Sequence, residues 1–418
     1  MDNPASRAIV HPMERYDVII IGGGLNGTSL ALALGRAGLA TLLADPVPEP
    51  DRADPGFDGR SYALSHASCR LLRALDLWPA LAPQAQPILD IKVTDGRPGE
   101  GPSPLMLEFD HAEIEEGPMG WMVEDRYLRR ALLAALDEIP NVTRRTARAV
   151  THEVSDTTAS VTLDDGSTPA AAMIVGADGM TSPTARRAGI RRLEWSYGQT
   201  GLVCAIAHEK PHHGTAHQFF MPAGPLAILP LSGNRSSIVW TERTPEAARI
   251  EALDDAGYLD ALRPRFGSFL GEIALDGARF SYPLLLSVAQ RFSAPRLALI
   301  GDAAHRLHPL AGQGLNAGLK DVAALAEVLA DARRRGEDIG RQDVLDRYQT
   351  WRRFDTATLA LATDTFNRLF SNDNPLARAV RDIGLGAVNA MPPLRRAFIR
   401  EAAGLTGDLP RLLQGRPL

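Results

Sequence analysis

YDVIIIGGGLNGTSLALALGRAGLATLLAD, residues 16 to 45, is the stretch that decides the fold. Asp17 to Ile21 is a β-branched run that reads as a strand, Gly22 to Gly27 is GGGLNG, Thr28 to Gly38 reads as a helix, and Thr41 to Ala44 is a second strand ending on Asp45. This is G-x-G-x-x-G inside a βαβ frame, with an acidic residue about 20 positions on that can accept ribose hydroxyls. Gly22 allows the tight turn, Gly24 lets backbone approach a pyrophosphate, and Gly27 lets the helix pack on the strand. The unit predicts an α/β fold with a dinucleotide-binding half.

A second glycine-punctuated stretch lies at the far end of the chain: GDAAHRLHPLAGQGLNAG, residues 301 to 318. Before it Pro295 to Ile300 fits a buried strand, and after it Leu315 to Arg334 has a helical pattern. Such a loop admits a ligand close to backbone, and the helix aims unpaired N–H groups and its positive dipole end at it. An anion or an electron-rich heterocycle suits that place.

Between these ends, Arg60 in DGRSYALS opens a pattern that reads as helical through Trp78. Leu89 to Leu107 is loop- and strand-like, with Pro and Gly clusters from Gly96 to Pro104 that mark a turn or a lid. Glu124 to Leu136 is an amphipathic helix with Arg126 in its first turn, where the dipole does not help a cation and an anion or hydroxyl nearby would. Val142 to Leu163 is strand-like, and Ala172 to Val175 leads into GADG, residues 176 to 179. Asp178 there either holds a ribose or a pyrophosphate-bound water or caps an ordinary turn.

Beyond Gly189 short strands follow one another: Thr200 to Ala207, His217 to Met221, Leu226 to Leu231 and Ser236 to Thr241. They read as an antiparallel sheet inserted between the dinucleotide-binding parts. Its apolar positions Phe219, Phe220, Leu229 and Trp240 read first as core, and His208, His212, His213 and His217 as a solvated turn without metal-ligand spacing. Toward the C-terminus the pattern is helical: Gln342 to Leu369, Pro375 to Ala390 and Leu394 to Ala403, interrupted at Pro392 and Pro393. The arginine-bearing LRRAFIREAAGL suits packing on its own domain, a partner or a membrane surface.

A net charge of −5, pI near 6.1 and the lack of a basic stripe argue against nucleic-acid binding. Cys69 and Cys204 have no paired spacing and read as two reduced thiols. There is no signal-peptide pattern and no run of the ~18 apolar residues that a membrane span needs. The reading is a protein of the cytoplasm, with peripheral placement on the inner face of the membrane kept open.

GGGLNG with Asp45, GADG, and GDAAH followed by HPLAGQGLNAG resemble the single-component flavoprotein aromatic hydroxylases of the para-hydroxybenzoate-hydroxylase type. More narrowly, residues 301 to 318 with LKDVAALAEVL, the segment from Asp58 and Arg60 to Trp78, GPLAILPL at 224 to 231 and the ending GLTGDLPRLLQGRPL resemble the ubiquinone-biosynthesis ring hydroxylases. The resemblance implies an α/β architecture of a Rossmann-like FAD-binding domain, an inserted antiparallel-sheet substrate domain and C-terminal helices. The corresponding boundaries are 14–80, 121–190 and 291–335 for the FAD-binding parts, 81–120 for a substrate-side segment or lid, 191–290 for the sheet domain and 336–418 for the helical region.

It also implies a cofactor site. The FAD diphosphate would lie on Gly22, Gly24, Leu25, Asn26 and Gly27, and the adenosine ribose on Asp45. Arg60 and Arg126 would touch the diphosphate and ribityl region, Asp178 and Asp302 the same side, and Gly312, Gln313 and Gly314, with Pro309 beside them, the flavin's pyrimidine edge. NAD(P)H would reduce the flavin, O2 would give a C4a-hydroperoxyflavin, and one oxygen would pass to a prenylated phenol. The alternatives are a hydroxylase of a soluble aromatic metabolite and a non-catalytic flavin-binding scaffold of a biosynthetic complex. His305 and His308 read as packing and loop-fixing residues. One departure stands out: the family's arginine three residues after the serine that follows GADG is Ala185 here, with Arg186 and Arg187 next.

Overall fold

Val18, Ile19 and Ile20 are fully buried, and an apolar run without a polar face needs cover on both sides. Their strand, Arg15–Ile21, accordingly lies inside a sheet, parallel to Thr41–Asp45 on one side and Ala170–Gly176 on the other. Val142–Thr146 extends the parallel order beyond the first neighbour and Leu297–Leu299 beyond the second. Antiparallel strands at Ser293–Ala294, Ala159–Leu163 and Ala149–Val154 complete it. The computed structural model describes residues 14–99, 101–113, 117–308, 312–370 and 389–418.

The helix Leu25–Arg36 connects the first two strands and packs against the long helix Gln313–Arg334, so the two ends of the chain meet over one sheet. That long helix starts eight residues before Asp321 and buries Ala317, Leu319, Val322, Leu325 and Leu329. Gln342–Phe370 lies beside it.

The second sheet runs from His305–Arg306 through Phe280–Ala289, Arg192–His208, Arg235–Arg243, Gly224–Leu231, Thr215–Met221 and Asp90–Arg97 to Gly101–Asp110. An inserted sheet is therefore present, but it is not purely antiparallel: Thr215–Met221 pairs in parallel with Asp90–Arg97, Thr215 opposite Asp90. Of the turn or lid expected between Gly96 and Pro104 the structure shows the turn, which joins the strands Asp90–Arg97 and Gly101–Asp110 in a β-hairpin of this sheet. Strand alternation sorts the apolar positions. Phe219 and Trp240 pack with Tyr258, Leu262 and Phe266 under the helix Asp255–Phe266, whereas Phe220 packs with Leu107, and Leu229 against Met119, Met122 and Ile399.

A third, three-stranded sheet joins Ser61–Ser65, Gly120–Glu124 and Gln86–Ile88. The helix expected from Arg60 starts only at His66, because Ser61 to Ser65 pairs across the chain with Gly120 to Glu124 before Ser65 caps it. The break expected at Pro392 and Pro393 falls at residues 390–391, and the prolines themselves open the next helix, Pro392–Ala402, where a missing N–H is harmless. Most of the helical pattern Pro375 to Ala390 lies outside the described residues. Both cysteines are free and buried, and no helix among the described residues is long and apolar enough to cross a membrane.

Candidate cofactor site

The first glycine loop has a separate physical reason at each position. Gly22 sits at φ +108°, and a Cβ there would lie 2.3 Å from the Ala177 carbonyl oxygen. A Cβ on Gly27 would fall 1.9 Å from the Gly22 carbonyl oxygen, so the helix start and the turn touch backbone to backbone. Gly24 caps the helix in an ordinary extended conformation, has no side chain to accept the free N–H groups, and faces open space, where a Cβ would meet nothing within 4 Å. That opening, at the positive end of the helix, is where an anion is stabilised.

Asp45 stands at the end of the second strand as expected, and its carboxylate is engaged. Oδ2 accepts the Gly23 N–H at 2.6 Å, Oδ1 accepts the Val47 N–H at 2.8 Å, and the Arg52 guanidinium is ion-paired with Oδ1. Arg52 also donates to the Gly23 carbonyl oxygen, while its Nε is buried without a partner among the described residues. The sequence does not single it out, because a lone arginine in PVPEPDRADPG carries no periodicity or motif. Leu25 joins Gly23, Thr28, Arg52 and Arg129 around a small cavity at this helix start.

Asn26 links the two ends of the chain. A Cβ on Gly301 or on Gly318 would come within 2.4 Å or 2.3 Å of its Nδ2, so both glycines are needed to seat it, and its Oδ1 is buried without a partner among the described residues. In the second glycine loop Gly312 is left-handed at φ +64° and caps the helix Gln313–Arg334 without a side-chain acceptor. Gly314 faces open space. Asn316, one helical turn on, accepts from the Ser65 N–H at 2.9 Å and donates to the Ala63 carbonyl at 2.8 Å, tying this helix to the third sheet. Pro309 lies outside the described residues.

Behind the loop is a buried charge network. Asp321, fully buried, accepts from the Gly301 N–H at 2.9 Å, lies 2.8 Å from His305 Nε2 and takes Arg352 Nε at 2.7 Å. Burial alone would raise its carboxyl pKa, but His305 and Arg352 outweigh that and hold it below the usual range. The loop-fixing role of His305 thus has a partner. His308 does not: it is 1% exposed, neither ring nitrogen has a partner among the described residues, and it sits edge-on to Tyr197 at 5.1 Å. Burial pushes its pKa down to about 4, against a smaller opposing effect of Asp364.

The remaining site candidates are held by local partners. Arg60 pairs with Asp58 and Asp125, and Arg126 pairs with Glu124 at 2.7 Å and donates to the Pro55 carbonyl. Asp178 accepts from the Ser182 hydroxyl at 2.5 Å and the Thr184 N–H at 2.9 Å, which is a turn-capping arrangement. Asp302 is exposed, and its carbonyl accepts from Arg192. Ala185 is 1% exposed, a place without room for an arginine, while Arg186 and Arg187 beside it are exposed. The expected solvated turn is corrected in part: His208 is buried, held by the Lys210 carbonyl and Ser236.

A βαβ phosphate loop, an acidic residue at the second strand end and an uncapped helix closing from the far end of the chain define a flavin-type dinucleotide cradle. The open Gly24 position, at the positive end of an uncapped helix, fits the diphosphate of an FAD. Residues 15–361 match the FAD binding domain family. The chain is 45% identical to ubiquinone hydroxylase UbiL of Rhodospirillum rubrum over 96% of this chain and 93% of that protein. It is 34% identical to the 3-demethoxyubiquinol 3-hydroxylase of Escherichia coli, covering 93% and 98%. The crystal structure of p-nitrophenol 4-monooxygenase PnpA from Pseudomonas putida has the same fold, with a TM-score of 0.78 at 20% identity over 94% of this chain and 99% of that one. The chain belongs to the ubiquinone-hydroxylase family of FAD-dependent monooxygenases.

Proposed function

We propose that this protein hydroxylates the ring of a polyprenylated phenol on the way to ubiquinone, with FAD as cofactor, O2 as oxygen source and NAD(P)H as electron donor. The observation that carries this reading is similarity along nearly the whole chain to proteins named as hydroxylases of ubiquinone and demethoxyubiquinol. Bound FAD supplies the oxygen-transfer chemistry, and the protein's part is to hold it, orient the ring and keep water out.

In this reading Gly22, Gly24, Leu25 and Gly27 receive the diphosphate, Asp45 the adenosine ribose, and the N–H groups of Gly312, Gln313 and Gly314 the negative charge of the reduced flavin's pyrimidine edge. Arg60, Arg126, Asp178 and Asp302 line the same cradle through their local partners. The sheet face that carries Phe220 and Leu229, with Met119, Met122 and Ile399, supplies apolar walls for the ring and its isoprenoid. Met391, Leu394 and Phe398, around the helix Pro392–Ala402, are exposed beside Arg396, a surface suited to docking from the cytoplasm onto the inner face of a membrane or onto a biosynthetic assembly.

The purified protein is expected to be yellow, and lipid extracts of a deletion strain to accumulate an under-hydroxylated quinone precursor. A colourless protein whose melting temperature FAD does not raise sinks the cofactor assignment. Unimpaired ubiquinone synthesis in the deletion strain sinks the substrate.

A further inference from the structure

Two of the chain's three lysines, Lys92 and Lys210, line one cavity of about 400 Å³ on the second sheet. Register accounts for the first of them: Thr215–Met221 runs parallel to Asp90–Arg97 with His217 opposite Lys92, so both side chains leave the same face. On that face His217 and Phe219 meet Phe269, which follows the helix Asp255–Phe266, with 4.6 Å between the His217 and Phe269 ring centroids. Ala216, one residue away, packs with Leu231 and Ile399 on the other face. Lys210 is placed by its backbone, whose N–H donates to the Leu270 carbonyl at 3.0 Å. The cavity is thus separate from the apolar walls assigned above to the ring and its isoprenoid.

The lining favours a negative guest with a flat body. The Lys210 ammonium has no partner among the described residues, and Lys92 has Glu108 at 3.4 Å in a pair whose side chains are 42% and 51% exposed, too open to bind tightly. The carboxylate of Asp90 reaches the Thr215 hydroxyl at 3.5 Å but does not belong to the lining. His217 has ring neighbours and no hydrogen bond among the described residues. Burial and then Lys92 push its pKa down to about 4, so at pH 7 the neutral imidazole has one N–H to donate. A metal ion does not suit the place. The two ammonium groups repel it, and His212 is used at both ring nitrogens, by the Leu231 carbonyl at 2.8 Å and the Gly214 N–H at 2.9 Å. We infer that this cavity is a ligand site distinct from the cofactor cradle, for an aromatic anion whose carboxylate or phosphate pairs with Lys92 and Lys210 while its ring lies against His217 and Phe269.

The test uses the purified full chain in FAD-containing buffer, titrated with phenyl phosphate and with inorganic phosphate. Phenyl phosphate is expected to bind about tenfold more tightly, the buried ring supplying the difference. Lys92→Gln and Lys210→Gln should each weaken it about threefold, the usual worth of an exposed ion pair, and lessen its salt dependence. Phe269→Ala should weaken phenyl phosphate and leave inorganic phosphate unchanged. The His217 imidazole resonance, assigned by its loss in His217→Gln, should titrate at higher pH with phenyl phosphate bound, because the anion offsets Lys92. This readout needs no variant of the lysines to fold. The inference is overturned if phenyl phosphate does not bind, if it binds as well to both lysine variants as to wild type, or if the His217 titration ignores it. Phosphatidylglycerol vesicles that move the His217 resonance further than phenyl phosphate does would make the patch a membrane contact and overturn it as well.

Discussion

The two glycine loops that meet at Asn26 are built on different principles. The first, Gly22 to Gly27, is fixed by close backbone approach and by near neighbours in the chain: Gly22 and Gly27 touch across the turn, and Asp45 and Arg52, within about 30 residues, hold the Gly23 N–H and carbonyl. The second, from Gly301 to Gly318, is fixed from behind by charge, through Asp321, His305 and Arg352, and from the side by Asn316. A loop of the first kind tolerates changes in distant residues. A loop of the second kind depends on side chains as far away as Arg352, and its weak points lie outside its own sequence.

The largest effect should therefore come from a residue that no ligand is expected to touch. Asp321→Ala leaves the Arg352 charge buried without its main partner and the Gly301 N–H without an acceptor, a loss of about 3–5 kcal/mol for breaking a buried pair. Urea unfolding should report it, and the variant should also purify with less flavin than wild type. A variant with unchanged stability would show that the network does not hold the second loop.

His308 gives the next effect, and it is specific to pH. Its folded-state pKa is depressed to about 4, so the folded chain keeps it neutral while the unfolded chain takes up a proton below about 6.5. The unfolded state then binds more protons, and stability falls as pH drops from about 6.5 toward 4 by about 1.4 kcal/mol per unit, about 3 kcal/mol across the window. Among the described residues, Asp364 and the edge of Tyr197 face it. His308→Leu should flatten the unfolding free energy over that window by one proton and leave stability at pH 8 little changed, since an apolar side chain replaces an unpartnered one. His217, also depressed to about 4, keeps its own share of the slope.

What can be read in the sequence follows the same division. The first loop is legible because its requirements are local: glycine spacing, a β-branched strand and an acidic end residue fall within about 30 residues. The strand Ser61–Ser65 reads as helix because Ala63 and Leu64 suit both states, and only pairing with Gly120–Glu124 decides between them. The hairpin Asp90–Arg97 with Gly101–Asp110 is marked by its turn residues, but its parallel partner, Thr215–Met221, lies far along the chain and leaves no local sign. Arg60 and Arg126 illustrate a different limit. Each has an acid two residues before it, Asp58 and Glu124, a spacing visible in the sequence that signals a local pair before it signals a ligand. Arg52 and Arg352, which matter more to the site's geometry, carry no such mark.

Within the first loop, Gly27 and Gly24 should separate fold from cofactor. Gly27→Ala forces a methyl group into the Gly22 carbonyl and should cost about 1–3 kcal/mol, as overpacking does. Gly24→Ala meets nothing within 4 Å at a backbone conformation open to any residue, so the flavin-free chain should melt as wild type does while FAD binds more weakly. Equal losses of apo-protein stability in the two variants would mean that the space over Gly24 has a structural use instead.

The smallest effect tests the strand end that lies between the two loops. Ser182 caps the short helix Pro183–Arg187 by accepting the Ala185 N–H at 3.0 Å and donates its hydroxyl to Asp178. Ser182→Ala should cost about 1 kcal/mol, the usual value of a lost cap, read as a shift of the denaturation midpoint. Its effect on FAD affinity is the informative part. If Asp178 serves only this turn, affinity stays at the wild-type value, because the Thr184 N–H still holds the carboxylate. A marked change in affinity at that small stability cost would instead make Asp178 a ligand oriented by Ser182, and GADG would then join the two glycine loops as a third wall of the cradle.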